Sequence, residues 1–188
     1  MIILASASPR RKQLMEKYIT SSFLIDVSHI NEEQYLNNDP IQSVKAIAKA
    51  KGEDIFTKHP DDVVISADTI VVIDNKVLGK PVDEDDALNM IKMLSGRSHQ
   101  VMTGFYIKKK DYEYNNVDIS TVTLKDVDEQ IIKQYIKKYP PLDKAGSYGI
   151  QDQYFADNIL DNYEGSLNNI IGFPTEKISD ILKKILVN

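Results

Sequence analysis

Three stretches of this chain carry side chains whose type and spacing are suited to chemistry. The first is Ser6-Ala7-Ser8-Pro9-Arg10-Arg11, which follows four residues of apolar strand. Ser8 stands as a helix N-cap and Pro9 as the first helical residue. Free N–H groups of a helix start, the hydroxyls of Ser6 and Ser8, and two guanidinium groups then converge where the strand ends, a combination suited to an anion such as phosphate. An ordinary strand-to-helix cap is the plain alternative. The second stretch is residues 62–73, a near-continuous apolar run interrupted by Asp68. Such a run reads as a central strand covered on both faces, where a lone carboxylate carries a large desolvation cost. A metal ion, a cation or a break in the strand at a cleft must offset it, which marks Asp68 as a functional candidate beside the structural alternative of a hydrogen-bonding aspartate. The third feature is Lys51, seven residues after Val44, four after Ile47 and four before Ile55. That spacing turns its ammonium toward the apolar face of a helix, either inward to a cleft or snorkelling along the surface.

Around these groups the pattern predicts alternating strands and helices. Residues 10–18 read as a helix with Leu14, Met15 and Tyr18 inward, 22–27 as a strand and 28–33 as a loop. Pro40 opens a helix whose apolar face is Ile41, Val44, Ile47, Ala48 and Ile55, and the strand at 62–73 follows it. Asp74-Asn75 makes a turn from which residues 76–81 return; Gly79-Lys80-Pro81 there lacks the glycine-rich lead-in and the following Ser or Thr of a Walker A loop. A helix over 83–94 stops at Gly96, and strands over 100–107 and 112–124 flank a solvated lysine turn at 108–111. Asp128 caps a helix carrying Ile131, Ile132, Tyr135 and Ile136, which Pro140-Pro141 ends. Two loops of small and polar residues, 142–151 and 164–174, precede a Thr175-capped helix with Ile178, Ile181, Leu182 and Ile185 inward. No repeat, low-complexity segment or linker stands out, so residues 1–188 are expected to form a single, bilobed domain.

Composition limits the partners. A chain of 188 residues with 42% hydrophobic and 27% charged residues can bury a substantial core, and its formal net charge of -5 argues against general nucleic-acid binding. Any polyanion must be held by a local cationic cluster. The absence of cysteine removes disulfides, thiolate metal sites and cysteine nucleophiles. No apolar run approaches a membrane span, and the apolar start has neither the basic flank nor the length of a signal peptide, so a cytoplasmic protein with no membrane partner is expected. His29, His59 and His99 show no metal-ligand spacing.

Taken together and in order, residues 4–11, Ala67-Asp68-Thr69-Ile70-Val71, Leu78-Gly79-Lys80-Pro81, Ser95-Gly96-Arg97, Thr103-Gly104, residues 143–151 and the segment from Gly165-Ser166 to Pro174 closely resemble the Maf family of nucleoside triphosphate pyrophosphatases. The resemblance spans almost the whole chain. It implies an α/β fold with an elongated mixed sheet flanked by helices and two lobes about a deep cleft, as in Maf and ITPase proteins; a homodimer is an expectation on the same ground. It implies hydrolysis of a nucleoside triphosphate to the monophosphate and pyrophosphate with a divalent metal, Mg²⁺ or Mn²⁺. Arg10, Thr69 and Gln151 match the positions that distinguish the dTTP/UTP pyrophosphatases from relatives acting on 7-methyl-GTP, and Asp68 matches the proton acceptor. On this basis Ser6, Ser8, Arg11, Lys51 and Lys80 are expected to bind phosphates, and Asp68 with Glu32 to hold the metal. Gln151 offers a donor and an acceptor to the imide edge of uracil or thymine.

Two departures from the family pattern stand out. His29-Ile30-Asn31-Glu32 replaces an Asp-x-Asp-Glu loop, leaving Glu32 as its carboxylate, and Asp152-Gln153-Tyr154 replaces Gly-Leu-Gly after Gln151. Two other functions compete with this one: a house-cleaning pyrophosphatase for modified nucleotides, and a non-enzymatic regulatory protein of cell division.

Overall fold

The computed structural model describes residues 1–186. Its elements run β1 (Ile2–Leu4), α1 (Pro9–Tyr18), β2 (Leu24–Ile25), a 3-10 turn (Glu32–Tyr35), α2 (Pro40–Phe56), β3 (Val63–Ile73), β4 (Lys76–Leu78), α3 (Glu84–Leu94), β5 (Ser98–Lys109) and β6 (Tyr112–Leu124). They continue with α4 (Glu129–Lys138), a second 3-10 turn (Ala145–Ser147), α5 (Gln153–Asn158), β7 (Leu160–Glu164), α6 (Leu167–Ile171) and α7 (Thr175–Leu186). The strands form one seven-stranded mixed sheet in the order β2-β1-β3-β5-β6-β7, with β4 paired to β3. β1 is parallel to both β2 and β3, whereas β4 on β3 and β7 on β6 are antiparallel. The α/β class with a mixed sheet flanked by helices is therefore the observed one.

Local chemistry sets the helix starts. Pro40 follows Asp39, whose carboxylate accepts the N–H groups of Ile41 and Gln42 at 2.9 and 3.4 Å. Asp83 does the same for the Asp86 N–H at 2.8 Å. The Ser8 hydroxyl caps α1 by accepting the Arg11 N–H at 3.4 Å.

The chain divides into two compact units. The first comprises residues 1–69, 103–118 and, of the described residues, 168–186, and the second residues 70–102 and 119–167, so the long strands β3, β5 and β6 contribute to both. In the first unit the alternation of β3 sorts its side chains. Val63, Ile65 and Ala67 join Leu14 and Met15 of α1 and Ile178 of α7, while Val64 on the other face joins Ile55 of α2. α2 lies close on β5 because Gly104 has no Cβ; one placed there would collide with the Val44 carbonyl. In the second unit α3 packs on α4, with Ile91, Leu94, Ile132, Tyr135 and Phe155 fully buried.

Several expectations are corrected. Tyr18 is exposed, and the strand expected over 22–27 is reduced to Leu24–Ile25, both exposed at the sheet edge. Lys108 and Lys109 are not a solvated turn: they end β5, where Lys108 lies over the Phe56 ring and Lys109 donates to the Ile185 carbonyl. Thr175 is the first residue of α7 rather than its cap, because the Pro174 carbonyl accepts the Ile178 N–H at 3.1 Å. The stretches expected as loops contain the second 3-10 turn and α6, and the intervening residues 152–163, for which no element is predicted, supply α5 and most of β7. Among the described residues no helix is long and apolar enough to cross a membrane.

Candidate active site at the carboxyl end of strand β1

β1 is three residues long and ends where its pairing with β3 ends, at Leu4 opposite Ile65. β3 runs on for eight residues beyond that point, to Ile73. The chain leaves β1 toward β2 through α1 and reaches β3 on the other side after α2, so the strand order reverses at β1. The carboxyl ends of parallel strands at such a reversal are where open α/β sheets bind ligands. Asp68 and Thr69 occupy that place, and as neighbours on a strand they address opposite faces.

Asp68 lies on the α2 face. Its Oδ1 accepts from the Lys51 ammonium at 2.8 Å, and both side chains are only 13% exposed. The same ammonium is 2.8 Å from Oε1 of Glu32, a half-exposed side chain at the start of the first 3-10 turn. Lys51 thus gathers two carboxylates, as its position on the apolar face of α2 anticipates. Of the donors near Asp68, only Lys51 is engaged with it, and Oδ2 has no hydrogen-bond partner among the described residues.

Thr69 lies on the α1 face and meets Arg11. The guanidinium donates from Nε to the Gly172 carbonyl at 2.9 Å, from Nη1 to Ser6 Oγ at 3.2 Å and from Nη2 to Thr69 Oγ1 at 3.1 Å. Three of its five N–H donors are used, leaving two for a ligand. Burial lowers the Arg11 pKa from its usual range, the charges of Asp68 and Glu32 raise it and that of Arg10 lowers it. Arginine remains cationic through such shifts. Ser6 Oγ also accepts the Ser8 N–H at 3.2 Å, and its own proton meets no acceptor among the described residues.

Behind Arg11 two threonine hydroxyls and two backbone carbonyls meet. Thr69 Oγ1, which accepts from Arg11, is 2.9 Å from Thr103 Oγ1 and 3.4 Å from the Gly172 carbonyl, and Thr103 Oγ1 in turn reaches the Asn169 carbonyl at 3.1 Å. The Thr69 proton thus has acceptors within the protein, in Thr103 Oγ1 and the Gly172 carbonyl. Neither Thr103 nor Gly172 carries a local signal for this role in the sequence, since the contact of Gly172 with Arg11 spans 161 positions.

Lys80 and Gln151 belong to the second unit, and both are exposed. The loop bearing Lys80 is tied down by the Gly146 N–H, which donates to the Gly79 carbonyl at 3.0 Å. Gln151 lies in a turn closed by the Asp152 N–H donating to the Gly149 carbonyl at 3.0 Å. Despite losing the family's glycines the loop is well formed.

Among the described residues no three His, Cys, Asp or Glu side chains are grouped as a metal site. Asp68 and Glu32 nevertheless already converge on one positive charge. Mg²⁺ commonly takes one or two carboxylates and completes its shell with water and substrate phosphates, so this donor pair fits such an ion without a protein cage.

The model of the family described as Maf-like protein matches residues 1–185. A dTTP/UTP pyrophosphatase of Clostridioides difficile is 42% identical over 97% of this chain and 94% of its own. Proteins of the same name from Clostridium botulinum (strain Eklund 17B) and Pyrococcus furiosus are 41% and 38% identical, covering 98% and 92% of this chain and 99% and 89% of theirs. A solved nucleoside-triphosphatase, a dITP/XTP pyrophosphatase of Mycobacterium abscessus, aligns with a TM-score of 0.47 at 11% identity over 99% of this chain and 96% of its own, too loosely to speak for fold or activity. With a cationic and acidic cluster at the end of β1 and a match running from the first residue nearly to the last, the chain belongs to the Maf family.

Proposed function

We propose that this protein is a nucleoside triphosphate pyrophosphatase that hydrolyses dTTP and UTP to the nucleoside monophosphate and pyrophosphate. The observation that carries the reading is the cluster in which Lys51 joins Asp68 and Glu32 while Arg11 keeps two donors unspent. A chain of net charge -5 binds a polyphosphate only through such a concentrated local field. The name shared by its relatives supports the choice of pyrimidine substrates.

In this reading Arg11, Ser6, Ser8 and the helix start they form bind phosphoryl oxygens, as do Lys51 and Lys80. Asp68 accepts a proton, through Oδ2, from the water that attacks the α-phosphorus, and Lys51 keeps the carboxylate oriented by holding Oδ1. The new P–O bond forms as the bond to the bridging oxygen of the β-phosphate breaks, and pyrophosphate leaves with the electron pair. Glu32, together with Asp68 while that carboxylate is unprotonated, would hold Mg²⁺ or Mn²⁺, which when bound supplies neutralisation of the phosphoryl charge; metal holding and proton acceptance compete for Asp68. Gln151 pairs with the imide edge of the base. Thr69 and Arg10, the latter able only to donate, complete its recognition. The partner is thus a small-molecule nucleotide, with no nucleic acid and no membrane, in a cytoplasmic protein.

Purified protein incubated with Mg²⁺ and single nucleotides tests this. UTP and dTTP are expected to release pyrophosphate with specificity constants at least about tenfold above those of ATP and GTP, and Gln151→Ala to shrink that margin. A higher constant for a modified nucleotide would shift the assignment to house-cleaning. No pyrophosphate from any nucleotide would end it in favour of a binding protein.

A further inference from the structure

Asp152 occupies the N-cap position of α5, where a carboxylate normally accepts backbone N–H groups of the first helical turn, yet its side chain makes no cap bond. Its Oδ2 is taken instead by the Tyr135 hydroxyl at 2.6 Å. That hydroxyl also accepts the N–H of Gly149 at 2.9 Å. One phenol of α4 therefore accepts from the first residue of the turn at 149–152 and donates to the last, which closes the turn a second time beside its own Gly149–Asp152 backbone bond.

The turn is close-fitted around this phenol. A Cβ on Gly149 would stand 2.9 Å from Asp152 Oδ2 and 3.1 Å from Gln151 Nε2, so the amide of Gln151 folds back over the same backbone that Tyr135 holds. Ile150 is buried beneath it and Gln151 is exposed. Tyr135 is fully buried and cannot drift: it stacks on Tyr139 at 5.6 Å and tilts against Phe155 at 5.3 Å, which in turn stacks on Tyr148 at 4.5 Å. Burial, with Asp152 adding to it, pushes the Tyr135 phenol well above its usual range and keeps it a donor. All of these residues lie in the second unit.

We infer that Tyr135 and Asp152 are positioning residues for Gln151, clamping the 149–152 turn so that its amide is held ready for a pyrimidine base. The inference rests on the reading that Gln151 meets the base. The clamp does for this chain what small, flexible glycines do not: it replaces a turn set by backbone freedom with one fixed by a charge-assisted hydrogen bond. A fixed amide loses less entropy on binding and leaves an ill-matched purine edge with unpaired polar groups.

The experiment compares kcat and KM for UTP and GTP in Tyr135→Phe, Asp152→Asn, Asp152→Ala and Gln151→Ala, with thermal melting alongside. Tyr135→Phe and Asp152→Ala are expected to lower the UTP-to-GTP ratio of kcat/KM by about tenfold, through KM for UTP. Asp152→Asn keeps an acceptor for the phenol and is expected to retain most of the ratio. A merely structural role would reduce the active fraction and lower kcat for both nucleotides equally. If Tyr135→Phe does not fold, Asp152→Ala, at the partly exposed start of a short helix, decides the matter. In a Gln151→Ala background neither substitution should lower the ratio further. A ratio that falls in Gln151→Ala but is unchanged in folded Tyr135→Phe and Asp152→Ala overturns this inference alone. An unchanged ratio in Gln151→Ala overturns the reading of Gln151 and this inference with it.

Discussion

Asp68 and Thr69 are adjacent in the chain and serve two faces of one strand. The carboxylate turns to Lys51 and the hydroxyl to Arg11, so a single dipeptide of β3, past the point where β1 ends, joins two cationic groups. Arg11 is bound too closely for a lysine to replace it. An ammonium cannot reach Gly172 O, Ser6 Oγ and Thr69 Oγ1 together, and Arg11→Lys is expected to cost about 1 to 3 kcal/mol of stability and more than about tenfold in kcat/KM, read by melting and steady-state kinetics. His99 sets a different prediction. It is buried, its Nε2 is 2.6 Å from the Tyr148 hydroxyl, and burial pushes its pKa from 6.5 down to about 4. The unfolded chain therefore takes up the proton first on acidification. The stabilisation is complete above pH 6.5 and drains away between 6.5 and about 4, by on the order of 3 kcal/mol. Denaturant melts across that range should show the loss in wild type and a shallower one in His99→Gln. At this scale Asp68 and Lys51 are legible in the sequence, because an acid inside an apolar run and a base on an apolar helix face violate the local pattern. The Gly172 carbonyl that holds Arg11 and the phenol beneath Gln151 are not, because a hydrogen bond across many residues leaves no periodicity behind.

Among the elements, α2 has the most to do with the site. It carries Lys51, and its docking on β5 depends on the missing Cβ of Gly104. Gly104→Ala must push α2, with its Val44 carbonyl, away from β5, with an expected cost of about 1 to 3 kcal/mol and, through displacement of Lys51 from Asp68, roughly a hundredfold in kcat. Melting and turnover of the variant check both. Long elements are readable: α2, β3, α3, β5, β6 and α7 each carry enough apolar repeats to declare their period. β2 is shorter than its sequence suggests, since the apolar residues at 23–25 imply more strand than the sheet edge uses. α5 and α6, of six and five residues, escape a reading by pattern because one turn of helix has no period to display and its stability comes from neighbours. β7 is largely exposed and polar and resembles a loop until β6 pairs with it.

The whole chain is acidic, yet the first unit assembles Arg11 and Lys51 where β1 ends, and family membership extends over nearly all of it. The division into two units leaves no boundary in the sequence, because the chain passes between them repeatedly inside strands β3, β5 and β6, and no linker composition marks the passage. For the molecule as a whole, the proposed reaction is defined by the bond that breaks, the one between the α-phosphorus and the bridging oxygen. Hydrolysis of UTP in heavy-oxygen water by wild type and Asp68→Asn, with the label located by mass spectrometry, tests it most directly. The heavy oxygen is expected to enter UMP and not pyrophosphate, and Asp68→Asn to lose about a hundredfold to ten-thousandfold in kcat while melting like wild type. Label in the pyrophosphate, or a folded Asp68→Asn that turns over at the wild-type rate, would contradict it.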